Sequence, residues 1–216
     1  MRRRSGAADN GDLVGTDLAE ALAAAQRDDP DGFADLWTAL HPSLLRYLRV
    51  VAGGGAEDVA SETWLQVARD LDGFQGDLTA FRVWLFRIAR NRAIDAGRHA
   101  RRRPEEPYDP VGTELFDVPS RDAAAEAVEG LGVEWALSVV ATLPRDQAEA
   151  VLLRVLAGLN AAQAAQVLGK RSGAVRVAAM RGLRRLADHP EVRARAGRDR
   201  EPGRARPLDS TQPEGV

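Results

Sequence analysis

The 216-residue chain has no cysteine, a single lysine (Lys170) and three histidines (His41, His99 and His189). Without cysteine there are no disulfides and no thiolate metal sites, in keeping with a reducing compartment. The histidines lie far apart and share no ligand spacing, so they read as surface side chains, and neither metal nor other cofactor is expected. Long apolar runs are also missing, and none approaches the roughly 18 residues that spanning a bilayer requires. The basic start Met1-Arg2-Arg3-Arg4 has no apolar core behind it, which argues against a secretory signal. A cytoplasmic location without membrane insertion is therefore expected. Gly-rich phosphate loops, metal-ligand clusters and nucleophile motifs are absent too, so the chain does not read as an enzyme.

What the chain does have is charge in blocks. The net charge of −2 hides them. Arg87 to Arg103 holds seven arginines and one acid, Asp95; Glu105 to Glu134 holds nine acids against Arg121. Ala150 to Ala187 holds no acid, against Lys170 and six arginines. Two basic blocks separated by an acidic one point to two polyanion-binding surfaces on either side of a negative connector.

Apolar periodicity is helical throughout, and no strand signal interrupts it. Residues 1–15 lack periodicity and read as disordered. Thr16 can cap a helix over 17–27, and Asp29-Pro30 opens another with proline at its first position. Phe33, Leu36, Trp37 and Leu40 form one face before Pro42 punctuates the pattern, which resumes as far as Gly53-Gly54-Gly55. Trp64, Val67, Ala68 and Leu71 mark the next helix. After the loop Gly73–Asp77, Phe81, Trp84, Leu85 and Ile88 mark a long one whose C-terminal half is arginine-rich. Trp84 falls on that apolar stripe, which favours a core role. These helices make a first domain over 16–103. Pro104, Pro107, Pro110 and Pro119 signal an extended acidic linker over 104–130. A second domain spans 131–189, and 190–216 reads as a flexible tail. The fold class is all-α, with two small helical domains.

Ala161–Leu186 reads as a helix-turn-helix. Asn160-Ala-Ala-Gln163 has capping-box spacing, Gly169 supplies a left-handed stop, and Ser172 is placed to cap the second helix. Val175, Ala179, Leu183 and Leu186 form its expected inner face. Arg176, Arg181 and Arg184 lie opposite, with Lys170, Arg171 and Ser172 at the N-terminus, where free N–H groups suit phosphate. A solvated basic helix within a bundle would carry the same stripe. An ordinary helix-turn-helix regulator accounts for this half alone.

The first domain adds more specific patterns. Ala56-Glu57-Asp58-Val59-Ala60-Ser61-Glu62-Thr63-Trp64 resembles the acidic helix with which sigma factors grip the polymerase clamp. Phe81 to Asp95, with Trp84-Leu85, Ile88-Ala89-Arg90-Asn91 and Asp95, resembles their −10-reading helix. Leu143-Pro144, Gly158-Leu159, Ala165 to Gly169 and Gly173 to Arg176 resemble their −35-reading domain, in order. The resemblance covers about residues 30–187 and is to the extracytoplasmic-function (ECF) sigma factors of the sigma-70 family. Ser61 stands where these usually have Gln, and Asn160 where Ser or Thr is usual.

The resemblance implies that the chain binds core RNA polymerase, through its beta and beta-prime subunits, and directs initiation at particular promoters. It implies that Asp58, Glu62 and Leu65 meet the polymerase, and that Arg87, Arg90, Asn91 and Arg98 lie toward −10 DNA. Phe74 and Gln75 become candidates for holding a flipped base, the cost of unstacking being offset by stacking and base-edge hydrogen bonds. Arg176 and Ser172 become candidates for −35 major-groove contact, with Arg171 and Arg181 on phosphates. The acidic linker would thread the RNA-exit path as a mimic of transcript, or serve as a solubilising spacer. An anti-sigma protein clamped between the domains is a further partner that the resemblance implies. A protein that captures polymerase without starting transcription is the remaining alternative.

Overall fold

The computed structural model describes the backbone of residues 15–102 and 123–199 and the side chains of 18–99 and 132–196. The expectations for residues 1–14, 103–122 and 200–216, which include most of the acidic linker, lie outside the described residues. All described regular structure is helical: α1 (Gly15–Ala25), α2 (Pro30–Val51), α3 (Ala56–Asp70), α4 (Leu78–Arg102), α5 (Ala123–Ala141), α6 (Arg145–Val155), α7 (Ala161–Leu168), α8 (Ser172–Asp188) and α9 (Pro190–Asp199).

Local chemistry sets several of these boundaries. The Asp29 side chain accepts from the Asp31 N–H, and Pro30 takes the first helical position of α2, where its missing N–H costs nothing. The Asp77 carboxylate accepts from the Ala80 N–H at 2.8 Å and starts α4. Pro42, expected to punctuate, instead lies inside a continuous α2. Buried Leu36 and Leu40 before it, and Leu44, Tyr47 and Leu48 after it, anchor one stripe on both sides, and packing outweighs the lost hydrogen bond.

α1 crosses α2 at close range because Gly32 has no side chain. A Cβ there would lie 2.7 Å from the Ala24 Cβ and 2.8 Å from the Ala21 carbonyl oxygen. Together with α3 and α4 they enclose Leu36, Leu44, Tyr47, Leu48, Val67, Phe81, Leu85 and Phe86, all essentially inaccessible to solvent. In the second domain α8 lies on α6 and α7. Here Gly182 is the point of approach: a Cβ would sit 2.9 Å from Val151 Cγ2.

Residues 190–199, read as flexible, instead form α9, and α5 begins at Ala123, inside the 104–130 linker span but where the sequence resumes a weak helical period over 121–129. α9 is held through Trp135, whose indole N–H donates to Glu191 at 3.0 Å while Arg195 stacks 4.7 Å from its ring centroid. The domains pack on each other, α2 against α5 and α6 and α4 against α7, so that one apolar cluster runs through both.

Candidate nucleic-acid interface

Asp58, Glu62 and Leu65 recur at i, i+4 and i+7 of α3, and all three are exposed. Leu65 is 65% accessible, so it lies outside the core. Glu62 pairs with Arg92 of α4 at 3.1 Å, and Arg92 also donates twice to the Gln66 side-chain oxygen. Both members of the Glu62–Arg92 pair are solvated, so its stability contribution is small and Glu62 remains free to meet a partner.

The loop between α3 and α4 presents Phe74 half-buried and Gln75 exposed. The Phe74 ring stacks on Trp84 (centroids 5.0 Å, planes 26° apart) and meets Phe81 edge-on at 5.6 Å. Trp84 is only half-buried, so it joins the apolar stripe on one side and a cavity wall on the other. That cavity holds about 650 Å³, and its lining includes Arg69, Phe74, Gln75, Trp84 and Arg87, the acidic Asp70 and Asp72, and Gln166 of α7. Aromatic faces beside guanidinium groups suit an unstacked base and its phosphate.

Beyond the cavity, α4 exposes Arg87, Asn91 and Arg98 on one side. Arg98 is 3.4 Å from Asp95 in a solvated pair. Arg90 does not join them. Its Nε donates to Glu149 of α6 at 3.0 Å, and its side chain is 19% accessible. Glu149 is 3% accessible and also accepts from Arg145 at 2.9 Å. Beneath them lies Tyr47, whose phenol is pushed far above its usual pKa, first by burial and then by the Glu149 charge.

In the helix-turn-helix the expected capping box forms in full. Asn160 Oδ1 accepts from the N–H of Ala162 and Gln163, and the Gln163 side chain accepts from the Asn160 N–H. Gly169 adopts φ 64°, the left-handed value expected of it. Ser172 is the first residue of α8 rather than its cap; Arg171 holds the cap position and makes no side-chain capping bond. Arg171, Ser172, Arg176 and Arg181 are all exposed. Ser172 and Arg176, four apart, share a face. Arg181 is five residues on, about 140° round a helix of 3.6 residues per turn. Val175 and Ala179 are buried as expected, but Leu183 is 50% accessible and Leu186 only half-buried. Gly182 faces α6 in place of Leu183, because Val151 and Gln147 come too close for a larger residue.

Two family descriptions match this chain, Sigma-70 region 2 over residues 36–103 and Sigma-70, region 4 over residues 134–186. The ECF RNA polymerase sigma factor ShbA of Streptomyces griseus is 34% identical over 180 residues, covering 75% of this chain and 89% of ShbA. The chain belongs to the ECF sigma factors. The ECF RNA polymerase sigma factor BldN of Streptomyces coelicolor is likewise 34% identical, over 79% of this chain and 64% of BldN's length. A solved complex of CnrH with the cytosolic domain of CnrY shares the fold, with a TM-score of 0.54 and 22% identity over 80% of this chain and 96% of that one. As an ECF sigma factor the chain directs promoter-specific transcription initiation by RNA polymerase.

Two features of this sigma factor escape sequence reasoning. Glu149 is one; it sits one residue before the acid-free block, in the apolar run Ala148 to Leu153, and a lone acid in such a run is the signal that could have found it. The other is an exposed apolar patch. Val155 (65% accessible) and Leu183 (50%) border a groove of about 410 Å³ that Val151, Leu159 and Ala179 also line. Among the described residues no helix is long and apolar enough to cross a membrane, and no cluster of potential metal ligands occurs.

Proposed function

We propose that this sigma factor divides promoter work among three surfaces. Asp58, Glu62 and Leu65 hold core polymerase; Phe74, Gln75, Arg87, Asn91 and Arg98 serve the −10 element, joined by Arg90 once it is released. Arg171, Ser172, Arg176 and Arg181 serve the −35 element, with Ser172 and Arg176 on bases and the other two on phosphates. The apolar groove at Val155 and Leu183 is a second protein contact, as its exposed area suggests. The chain works in the cytoplasm as a regulatory subunit without a reaction of its own. An anti-sigma protein is its expected regulator.

We further propose that the free protein binds promoter DNA poorly and gains specificity on joining core polymerase. One observation carries this reading: Arg90, on the helix assigned to −10 DNA, is engaged by the buried Glu149 of the −35 domain. A carboxylate in that place occupies the guanidinium that a phosphate would take. The test pairs gel-shift with run-off transcription. The isolated chain should bind promoter and random duplex alike, and core polymerase plus the chain should start transcripts at discrete sites. Tight, sequence-specific binding by the isolated chain would refute the second proposal. Copurification with core without any run-off product would refute the first.

A further inference from the structure

The base-holding loop is anchored from outside the region 2 match. Gln26, immediately after α1, donates from Nε2 to the Phe74 carbonyl at 2.7 Å. Residues 15–26 precede the matched span of 36–103. The tie joins residues 48 apart in sequence, and apart from the Asp77 bond that starts α4 it is the loop's one side-chain hydrogen bond to another element among the described residues. Its chemistry is unambiguous, because a carbonyl accepts and only the amide nitrogen of Gln26 can donate.

The anchor is itself held in place. Gly32 lets α1 settle on α2, and Asp28 turns the chain with φ 61°, so Gln26 sits at a fixed exit from α1. On the loop side the Phe74 N–H donates to the Leu71 carbonyl at 3.1 Å, and Gly76 leaves room for the ring, since a Cβ there would lie 3.1 Å from Phe74 Cζ. A trans peptide is planar, with its C=O and N–H pointing opposite ways. Pinning the Phe74 carbonyl toward Gln26 therefore aims the Gln75 N–H away from it, and that N–H has no partner among the described residues. The aromatic shelf and a free backbone donor are thus set before any base arrives, which removes part of the ordering cost of capture.

We propose that Gln26 is a positioning residue for base capture: by orienting the Phe74–Gln75 peptide it shapes the cavity that receives an unstacked base of the −10 element. This rests on the reading of Phe74 and Gln75 as base-holding residues. The test uses holoenzyme assembled from core polymerase and the full chain. Open-complex formation is followed on one promoter carrying an abasic site at each −10 position in turn. Wild type should show one position where the abasic site slows opening sharply. Gln26→Glu keeps the shape and removes the donor. It should slow opening on the intact promoter by about three- to tenfold, the span of one hydrogen bond, while the penalty at that position shrinks by a similar factor. Gln26→Lys, which keeps a donor, should restore the penalty. An unchanged intact-to-abasic ratio in Gln26→Glu overturns the proposal while the base-capture reading stands. A wild-type scan with no sensitive position overturns both. A merely structural role would lower thermal stability and slow opening equally at every position, and that result also overturns the proposal.

Discussion

Arg90 and Glu149 meet 3.0 Å apart across the junction of the two domains, and Glu149 is almost inaccessible to water. Glu149 belongs to the domain assigned to the −35 element and Arg90 to the helix assigned to the −10 element, so the contact ties the two DNA surfaces together. A buried pair of this kind contributes little net stability against an apolar alternative, yet removing one partner exposes the full cost of burying the other.

Glu149→Gln is therefore expected to loosen the junction rather than unfold the helices. Freed of its carboxylate, Arg90 regains water as the domains part, and the radius of gyration in solution scattering increases. The isolated chain should also gain one phosphate contact on duplex DNA, steepening the log–log salt dependence of binding by about one. Unchanged scattering and an unchanged salt slope would mean that the pair is not a latch.

Arg176→Ala should weaken transcription that depends on the −35 element by roughly 1–3 kcal/mol of binding, the range for a bidentate base contact. Promoters without a −35 element should lose little. Arg181→Ala should instead weaken all duplexes alike, as a phosphate contact does. Competition binding of holoenzyme across a set of −35 variants separates the two patterns.

Asn160→Ala removes the side-chain oxygen that satisfies two N–H groups at the start of α7. It should cost about 1 kcal/mol in urea unfolding of the second domain, whereas Asn160→Ser should be nearly neutral.

Gly182→Val places methyl groups where Val151 Cγ2 and Gln147 already crowd the backbone. Overpacking of this kind should destabilise by roughly 1–3 kcal/mol, enough to outweigh any gain in helix propensity. Gly173, also in α8, has nothing within 4 Å of its missing Cβ, and Gly173→Ala should be neutral or stabilising. Paired urea titrations of the two variants test the close approach directly.

The parts of the candidate site that were legible depend on short-range chemistry. The capping box at Asn160 and Gln163, the left-handed Gly169 and the exposure of Ser172 and Arg176 follow from residues within one or two turns of one another. Where the expectations fail, a neighbour from elsewhere in the chain intervenes. Pro42 stays inside α2 because the core grips both halves; Leu183 yields to Gly182 because α6 crosses there; and residues 190–199 fold because Trp135 receives them.

By itself the sequence determined an all-α chain, the order of its helices as far as α8, the helix-turn-helix and the family, because apolar period, caps and turn residues are written locally. Only the tertiary structure decided that Arg90 turns to Glu149 and not to solvent beside Arg87, and that Gln26 reaches the Phe74 carbonyl. Those partners lie 59 and 48 residues apart. No periodic pattern encodes such a separation. It is set by how helices pack, which depends on side-chain volume at crossings such as Gly32 and Gly182.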